Sequence, residues 1–316
     1  LEQLQEIQDK LELVLSNINR VVIGKREVVT LSLVALLAEG HVLLEDVPGV
    51  GKTMMVKALA KSINTDFKRI QFTPDLLPSD VTGVSVYNPK DLEFHYRPGP
   101  VMSHFVLADE INRTSPKTQS ALLEAMEESS VTTDGITRAL PKPFFVMATQ
   151  NPIEFDGTYQ LPEAQLDRFL FRLKMGYPTI GEEVDILNRL ANGSPIDELK
   201  PVIQIQDVQT IQAKVRNVYV DDTVKRYIVE IVDRTRNHPD IDLGVSPRGS
   251  VALMKATQAY SLLQGRDYCI PDDVQYLAPY VLSHRMTLRP EAKYERKQTD
   301  EIVKQILAKV YVPIKR

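Results

Sequence analysis

Val42-Leu43-Leu44-Glu45-Asp46-Val47-Pro48-Gly49-Val50-Gly51-Lys52-Thr53 is the stretch from which the rest of the chain can be read. It opens with a short apolar run closed by an acid, which reads as a strand. The glycines then let the backbone curl so that several N–H groups point inward. The helix that follows adds its partial positive charge. A phosphate chain needs this arrangement, with Lys52 reaching the outer phosphates and Thr53 offering a hydroxyl to Mg²⁺. Pro48, Gly49, Val50, Gly51 and Met54 complete the expected cradle. The strict pattern places another glycine where this chain has Asp46, so the loop keeps its later glycines, lysine and threonine but not its first glycine. A plain glycine turn before a helix is the competing explanation, and the strand–loop–helix context weighs against it.

Working outward, HVLLED (41–46), FKRIQF (67–72), HFVLAD (104–109), FFVMAT (144–149) and FLFRLKM (169–175) read as five strands. The third and fourth are almost continuously apolar, as central parallel strands should be. The fifth alternates, with Phe169, Phe171, Leu173 and Met175 expected on one face and Arg172 and Lys174 on the other. Between them lie helices. Met55, Val56, Leu59, Ala60 and Ile63 form an apolar stripe at helical spacing, and Ser115-Pro116 opens a helix carrying Leu122, Ala125 and Met126. Alternation of this kind predicts an α/β fold with a parallel five-stranded sheet. After Tyr177-Pro178 the pattern is helical throughout, so a core over 1–178 and a smaller all-helical domain over 179–316 are expected.

The 316 residues suit about two domains, and a hydrophobic fraction of 43% provides for a packed core. Thirty-eight Lys and Arg against 42 Asp and Glu leave a net charge of -4, so an overall basic footprint for nucleic acid is absent. The single cysteine, Cys269, cannot form an internal disulfide and reads as a small buried residue. Leu31–Ala38 is too short an apolar run to cross a bilayer, and the charged first twenty residues lack a signal-peptide core. A soluble, cytoplasmic protein without membrane insertion is the expectation, with a segment before Leu1 left open.

Two further strand ends carry polar groups. Asp109 and Glu110 follow the third strand: Asp109 is expected to hold Mg²⁺ and Glu110 to polarise an attacking water. Gln150, Asn151 and Pro152 follow the fourth, where a side-chain amide can orient that water or touch a phosphate; by spacing alone this is an Asn-Pro turn. Parallel α/β sheets place ligands at the carboxyl ends of their strands, which is where all three signals fall.

VLLEDVPGVGKT, FVLADEINR, MATQNP, LPEAQLDRF and VSPRGSV, in this order, resemble the MoxR family of AAA+ ATPases, with the likeness running from about Val21 to Pro313. The resemblance implies a P-loop AAA+ core with a helical lid, ATP or ADP and Mg²⁺ as ligands, and a hexameric ring. It implies client remodelling, maturation or metal-cofactor insertion, often beside a von Willebrand A domain protein. Carried onto this sequence, Lys52 and Thr53 match Walker A, Asp109 and Glu110 match Walker B, and Asn151 matches sensor 1. Arg168 matches the arginine finger offered to a neighbouring subunit, and Arg248 the sensor 2 arginine reaching down from the lid. Guanidinium groups suit that task because each meets two phosphoryl oxygens at once. Arg113 is a weaker candidate for an inter-subunit contact and, with Arg172, reads better as structural.

Residues 73–100 are too long and turn-rich for a plain connection, and 130–140 hold Asp134-Gly135 between β-type residues, a hairpin signal. In the resembled family these match an insertion in helix 2 and a hairpin, both on the pore face. His41, His95, His104, His238 and His284 show no metal-binding spacing. A DNA-remodelling motor, a nucleotide-gated scaffold with little turnover and a metal-chelatase motor subunit stay open as alternatives.

Overall fold

The computed structural model describes residues 2–45, 49, 51–151, 158–191, 193 and 195–313. Two helices lead the chain, α1 (Glu2–Asn19) and α2 (Arg26–Leu37), followed by β1 (Val42–Glu45), α3 (Lys52–Ser62) and β2 (Phe67–Gln71). A short helix, α4 (Pro78–Thr82), carries the hairpin β3 (Gly83–Asn88) and β4 (Glu93–Pro98). β5 (Phe105–Asp109) passes through a 3-10 turn at Ile111–Arg113 into α5 (Pro116–Glu128), the hairpin β6 (Ser130–Thr133) and β7 (Ile136–Ala139), and β8 (Phe145–Gln150). The short helix α6 (Glu163–Leu166) and strand β9 (Phe171–Leu173) close this part. The remainder comprises α7 (Ile180–Ala191), α8 (Pro195–Glu198), α9 (Ile205–Val215), α10 (Asp222–Arg236), β10 (Ile241–Leu243), α11 (Pro247–Leu263), α12 (Pro271–Leu282), β11 (Thr287–Leu288), α13 (Pro290–Tyr294) and α14 (Thr299–Lys309).

The main sheet has the order β2-β5-β8-β1-β9, and every neighbouring pair in it is parallel. Successive side chains of a strand face opposite ways, so a strand buried on both faces feeds two cores. Val42, Leu44, Phe105, Leu107, Phe145, Met147, Phe171 and Leu173 join one core with α1, α2, α3 and the later helices. Leu43, Val106, Ala108, Val146 and Ala148 join the other, beneath α5. Phe169 belongs to this second core, across the sheet from Phe171, which corrects the expected alternation of residues 169–175. The reason is that β9 begins only at Phe171, so the strand's period does not reach back to Phe169.

α1 folds as a helix because Ile7, Leu11, Val14, Leu15 and Ile18 form one buried stripe at spacings of three and four. Its buried Asn17 fixes the register, donating from Nδ2 to Ser62 Oγ at 2.9 Å and to the Lys200 carbonyl at 3.0 Å. In α5, Ser115 takes an extended N-cap conformation before Pro116, and Leu122, Ala125 and Met126 are buried. Asp134 and Gly135 both have positive φ, 54° and 74°, as the tight turn between β6 and β7 requires. The 73–100 segment supplies α4 and the first hairpin, and the Arg138 guanidinium lies 3.9 Å from the Tyr96 ring centre, tying the two hairpins together.

The region beyond residue 178 is largely, but not wholly, helical. β10 and β11 pair antiparallel, Ile241 with Leu288 and Leu243 with Thr287, which corrects the all-helical expectation. Two- and three-residue strands are too short to leave an alternating signature, so helical periodicity on either side hid them. α7 carries Val184, Leu187 and Leu190 at helical spacing, and all three are exposed. Among the described residues, no helix is long and apolar enough to cross a membrane.

Candidate functional site

At the end of β1 the backbone turns through Gly49 and Gly51, with φ of +85° and +94°. A Cβ at either would meet nothing within 4 Å, so glycine is needed there for conformation and not for space. Gly51 is the N-cap of α3 and brings no capping side chain, and the first turn of α3 has no acidic residue. Helix starts ordinarily attract acids; here the positive end is left for an anion. Lys52 and Thr53 are half-buried in that first turn and Met54 is exposed. Asp46, Val47, Pro48 and Val50 lie outside the described residues.

The acidic pair stands two strands away. Asp109 ends β5, and its Oδ1 accepts a hydrogen bond from Thr149 Oγ1 at 2.7 Å, while Oδ2 pairs with Arg69 Nη2 at 2.5 Å. Glu110 has a left-handed backbone, φ 56° and ψ 51°, and its N–H donates to the same Thr149 hydroxyl at 2.8 Å. Such a conformation is unfavourable for a residue with a side chain and is commonly found where geometry serves a site. Gln71 Nε2 and Arg113 Nη1 both donate to Glu110 Oε2, at 3.1 and 3.0 Å. Thr149 is fully buried and thus anchors both acids from β8. Arg113 thus pairs with Glu110 within its own subunit.

Asn151, half-buried just past β8, receives a hydrogen bond on its carbonyl from Asn112 Nδ2 at 3.1 Å. Its neighbour Gln150 pairs with Glu45 across the β1–β8 register, and Arg172 Nε lies 3.8 Å from the same carboxylate. Pro152 lies outside the described residues. Parallel register therefore gathers Glu45, Asp109, Thr149 and Gln150 along one edge. Mg²⁺ carried in by a nucleotide keeps most of its waters and takes only one or two protein oxygens, so it does not require a protein-built cluster. Among the described residues there is no cluster of three or more ligating side chains that would bind a metal unaided.

Beside the loop opens an apolar cleft of about 240 Å³, lined by Val21, Val22, Ile23, Met54, Pro178 and Leu190 together with Gly49 and Gly51. No motif marks this wall in the sequence; its local signal is the apolar run Val21–Ile23. Arg69, Gln71 and Thr149 were missed as well. For the first two the available signal was β2's alternation, which puts both on the face that the acids share.

Arg168 and Arg248 stand together at a different cleft. Glu127, in the last turn of α5, accepts from Arg168 Nε at 2.9 Å and pairs with its Nη2 at 2.8 Å; Arg248 Nη1 lies 3.2 Å from its other oxygen. Neither arginine lines the cleft bordered by Gly49 and Gly51. Beneath them the almost fully buried Arg285 pairs with Asp167 and donates to the carbonyls of Asp167 and Phe169, each at 2.8 Å. Burial holds Arg285 below its ordinary pKa, opposed by Asp167. His284 bonds the Phe169 carbonyl at 2.7 Å, and burial holds its pKa well below the usual value. His41 accepts from the Val146 N–H at 3.0 Å through Nδ1, and burial lowers it to about 4. Both histidines are neutral core residues. Cys269 is buried, which pushes its thiol up to about 11.

Residues 41–171 match the ATPase family associated with various cellular activities (AAA), and residues 233–306 match the AAA lid domain. The chain is 68% identical to the uncharacterized protein YeaC of Bacillus subtilis over 95% of its length and 94% of that protein's. It is 41% identical to the chaperone MoxR1 of Mycobacterium tuberculosis, over 96% of this chain and 82% of the other. A solved structure from Cytophaga hutchinsonii superposes with a TM-score of 0.93 at 38% identity, over 99% of this chain and 98% of that one.

Proposed function

Because the chain belongs to the MoxR family of AAA+ ATPases, we propose that it hydrolyses ATP at the junction between two copies of itself and uses that turnover to remodel protein clients. Family membership carries nucleotide binding and ATP-dependent, chaperone-like activity in general; the residue roles, the junction and the clients are our reading. The adenine ring enters the apolar cleft of Val21, Val22, Ile23 and Leu190, and the triphosphate follows the turn at Gly49 and Gly51 onto the start of α3. Lys52 meets the outer phosphates. Thr53 and Asp109 would hold Mg²⁺, which would supply charge neutralisation at the phosphate oxygens. Glu110 takes a proton from water as its oxygen attacks the terminal phosphorus and the bond to the bridging oxygen breaks, with Asn151 orienting that water.

The observation that carries this reading is the convergence of Arg168 and Arg248 on one carboxylate at a cleft that the phosphate loop does not border. Two guanidinium groups aimed at one anion match the charge of a transferring phosphoryl group, and a neighbouring subunit can present that group. Arg248 is thereby assigned to the neighbour's nucleotide together with Arg168. The ring is taken as hexameric and its partner as a von Willebrand A domain protein, as the family likeness implies. The exposed Leu92 and Phe94 of the first hairpin are offered to clients.

The test mixes two inactive proteins. Arg168→Ala binds ATP but loses on the order of 10³ in turnover, whereas Lys52→Ala fails to bind productively yet still supplies arginines. Phosphate release should reappear on mixing, since an intact loop then meets intact arginines. A mixture as inactive as its components would remove the shared site.

A further inference from the structure

In the single subunit, Arg168 and Arg248 come from segments eighty residues apart in sequence, yet each approaches the same carboxylate. Glu127 sits in the last turn of α5, a turn without a basic residue, where the helix macrodipole disfavours an acid. Two cations offset that position, so the carboxylate and the arginines hold one another in place. Arg168 is braced twice, by Glu127 and by its own Nη1 on the Ala164 carbonyl at 3.2 Å. Arg248 is not: its side chain is 68% exposed, and among the described residues its carboxylate neighbours are Glu127 at 3.2 Å and Asp167 at 3.9 Å. A long side chain with that exposure loses much rotamer freedom when it must point at a substrate. Asp167 is the more distant of the two, facing Arg248 through Oδ2 while its other oxygen pairs with Arg285.

We propose that Glu127 is a positioning residue for catalysis in the adjacent subunit, resting on the shared-site reading above. Its two oxygens set Arg168 and Arg248 side by side, at a spacing from which both reach one phosphoryl group. It touches no nucleotide itself. Its effect travels through the arginines, and so appears in a neighbour's turnover and not in its own subunit's.

That direction of action gives a test that loss of structure cannot imitate. In the mixture of Arg168→Ala with Lys52→Ala, the Lys52→Ala protein lends the arginines and the Arg168→Ala protein binds the ATP. Glu127→Gln placed on the lending protein should lower the recovered kcat roughly tenfold, as expected for mispositioned catalytic groups, with the KM for ATP nearly unchanged. The same substitution on the ATP-binding protein should leave the recovered rate as it was, because its arginine face meets a dead loop. Glu127→Asp on the lending protein keeps the charge and should restore part of the rate. Equal losses in both placements would assign Glu127 a purely structural role and overturn the proposal. An unchanged or faster rate with the lending protein altered would overturn it too, the faster rate marking Glu127 as a competitor for the arginines. If the parent mixture itself shows no recovery, the shared site fails, a result distinct from any of these.

Discussion

The sheet edge that carries Gly51, Asp109 and Glu110 and the cleft that carries Arg168 and Arg248 are built in opposite ways. The first is held from inside the fold: a fully buried threonine grips both acids, and the neighbouring strand β2 supplies Arg69 and Gln71 in fixed register. The second rests on long side chains over a buried base of Arg285, Asp167 and His284, with Glu127 between them. Groups that bind a nucleotide within one subunit can be locked by secondary structure. Groups that must meet a second molecule are presented at a surface, and gain their order from a few ionic contacts.

Acid should separate the two regions most strongly. The folded protein protonates His41 only below about pH 4, and the unfolded chain does so near the ordinary histidine value of 6.5. Stability from this group is therefore whole above 6.5 and drains away as pH falls toward 4, by roughly 3 kcal/mol in all. His284, also depressed by burial, adds loss in the same direction. Both lie behind the arginine cleft, the His41 carbonyl accepting from Leu170 N–H at 2.8 Å and His284 bonding Phe169. Urea midpoints measured from pH 7 to 4.5 should fall, and His41→Asn should flatten that fall. Parallel curves for the two proteins would take His41 out of the account.

A smaller change sharpens the comparison from the other side. Thr149→Val keeps the volume but leaves an Asp109 oxygen and the Glu110 N–H without their partner, a defect of about 1–3 kcal/mol for buried groups. Turnover should drop about tenfold with ATP affinity held, while the altered subunit still lends its arginines to an Arg168→Ala partner. Failure to lend would mean that the regions are not independent.

How much of this could be read beforehand follows from the same contrast. The first strand, the start of α3, the acidic pair and the five-stranded parallel sheet lie in contiguous runs whose local pattern specifies them, so residues 42–45, 51–53 and 105–110 announced their structure. Arg168 and Arg248 entered only through family likeness, because an arginine in a helical stretch looks like any surface charge. Glu127 gave no signal, since its partners come from α11 and from the segment following α6. The β10–β11 ladder and the placement of Phe169 escaped because each depends on where a short strand begins.

The central claim is that catalysis needs a second copy, and turnover per subunit measured across protein concentration tests it most directly. With Mg²⁺ and saturating ATP, phosphate release per subunit should rise as sedimentation shows copies assembling, then level off once assembly is complete. Full turnover per subunit at dilutions where only single chains sediment would contradict it.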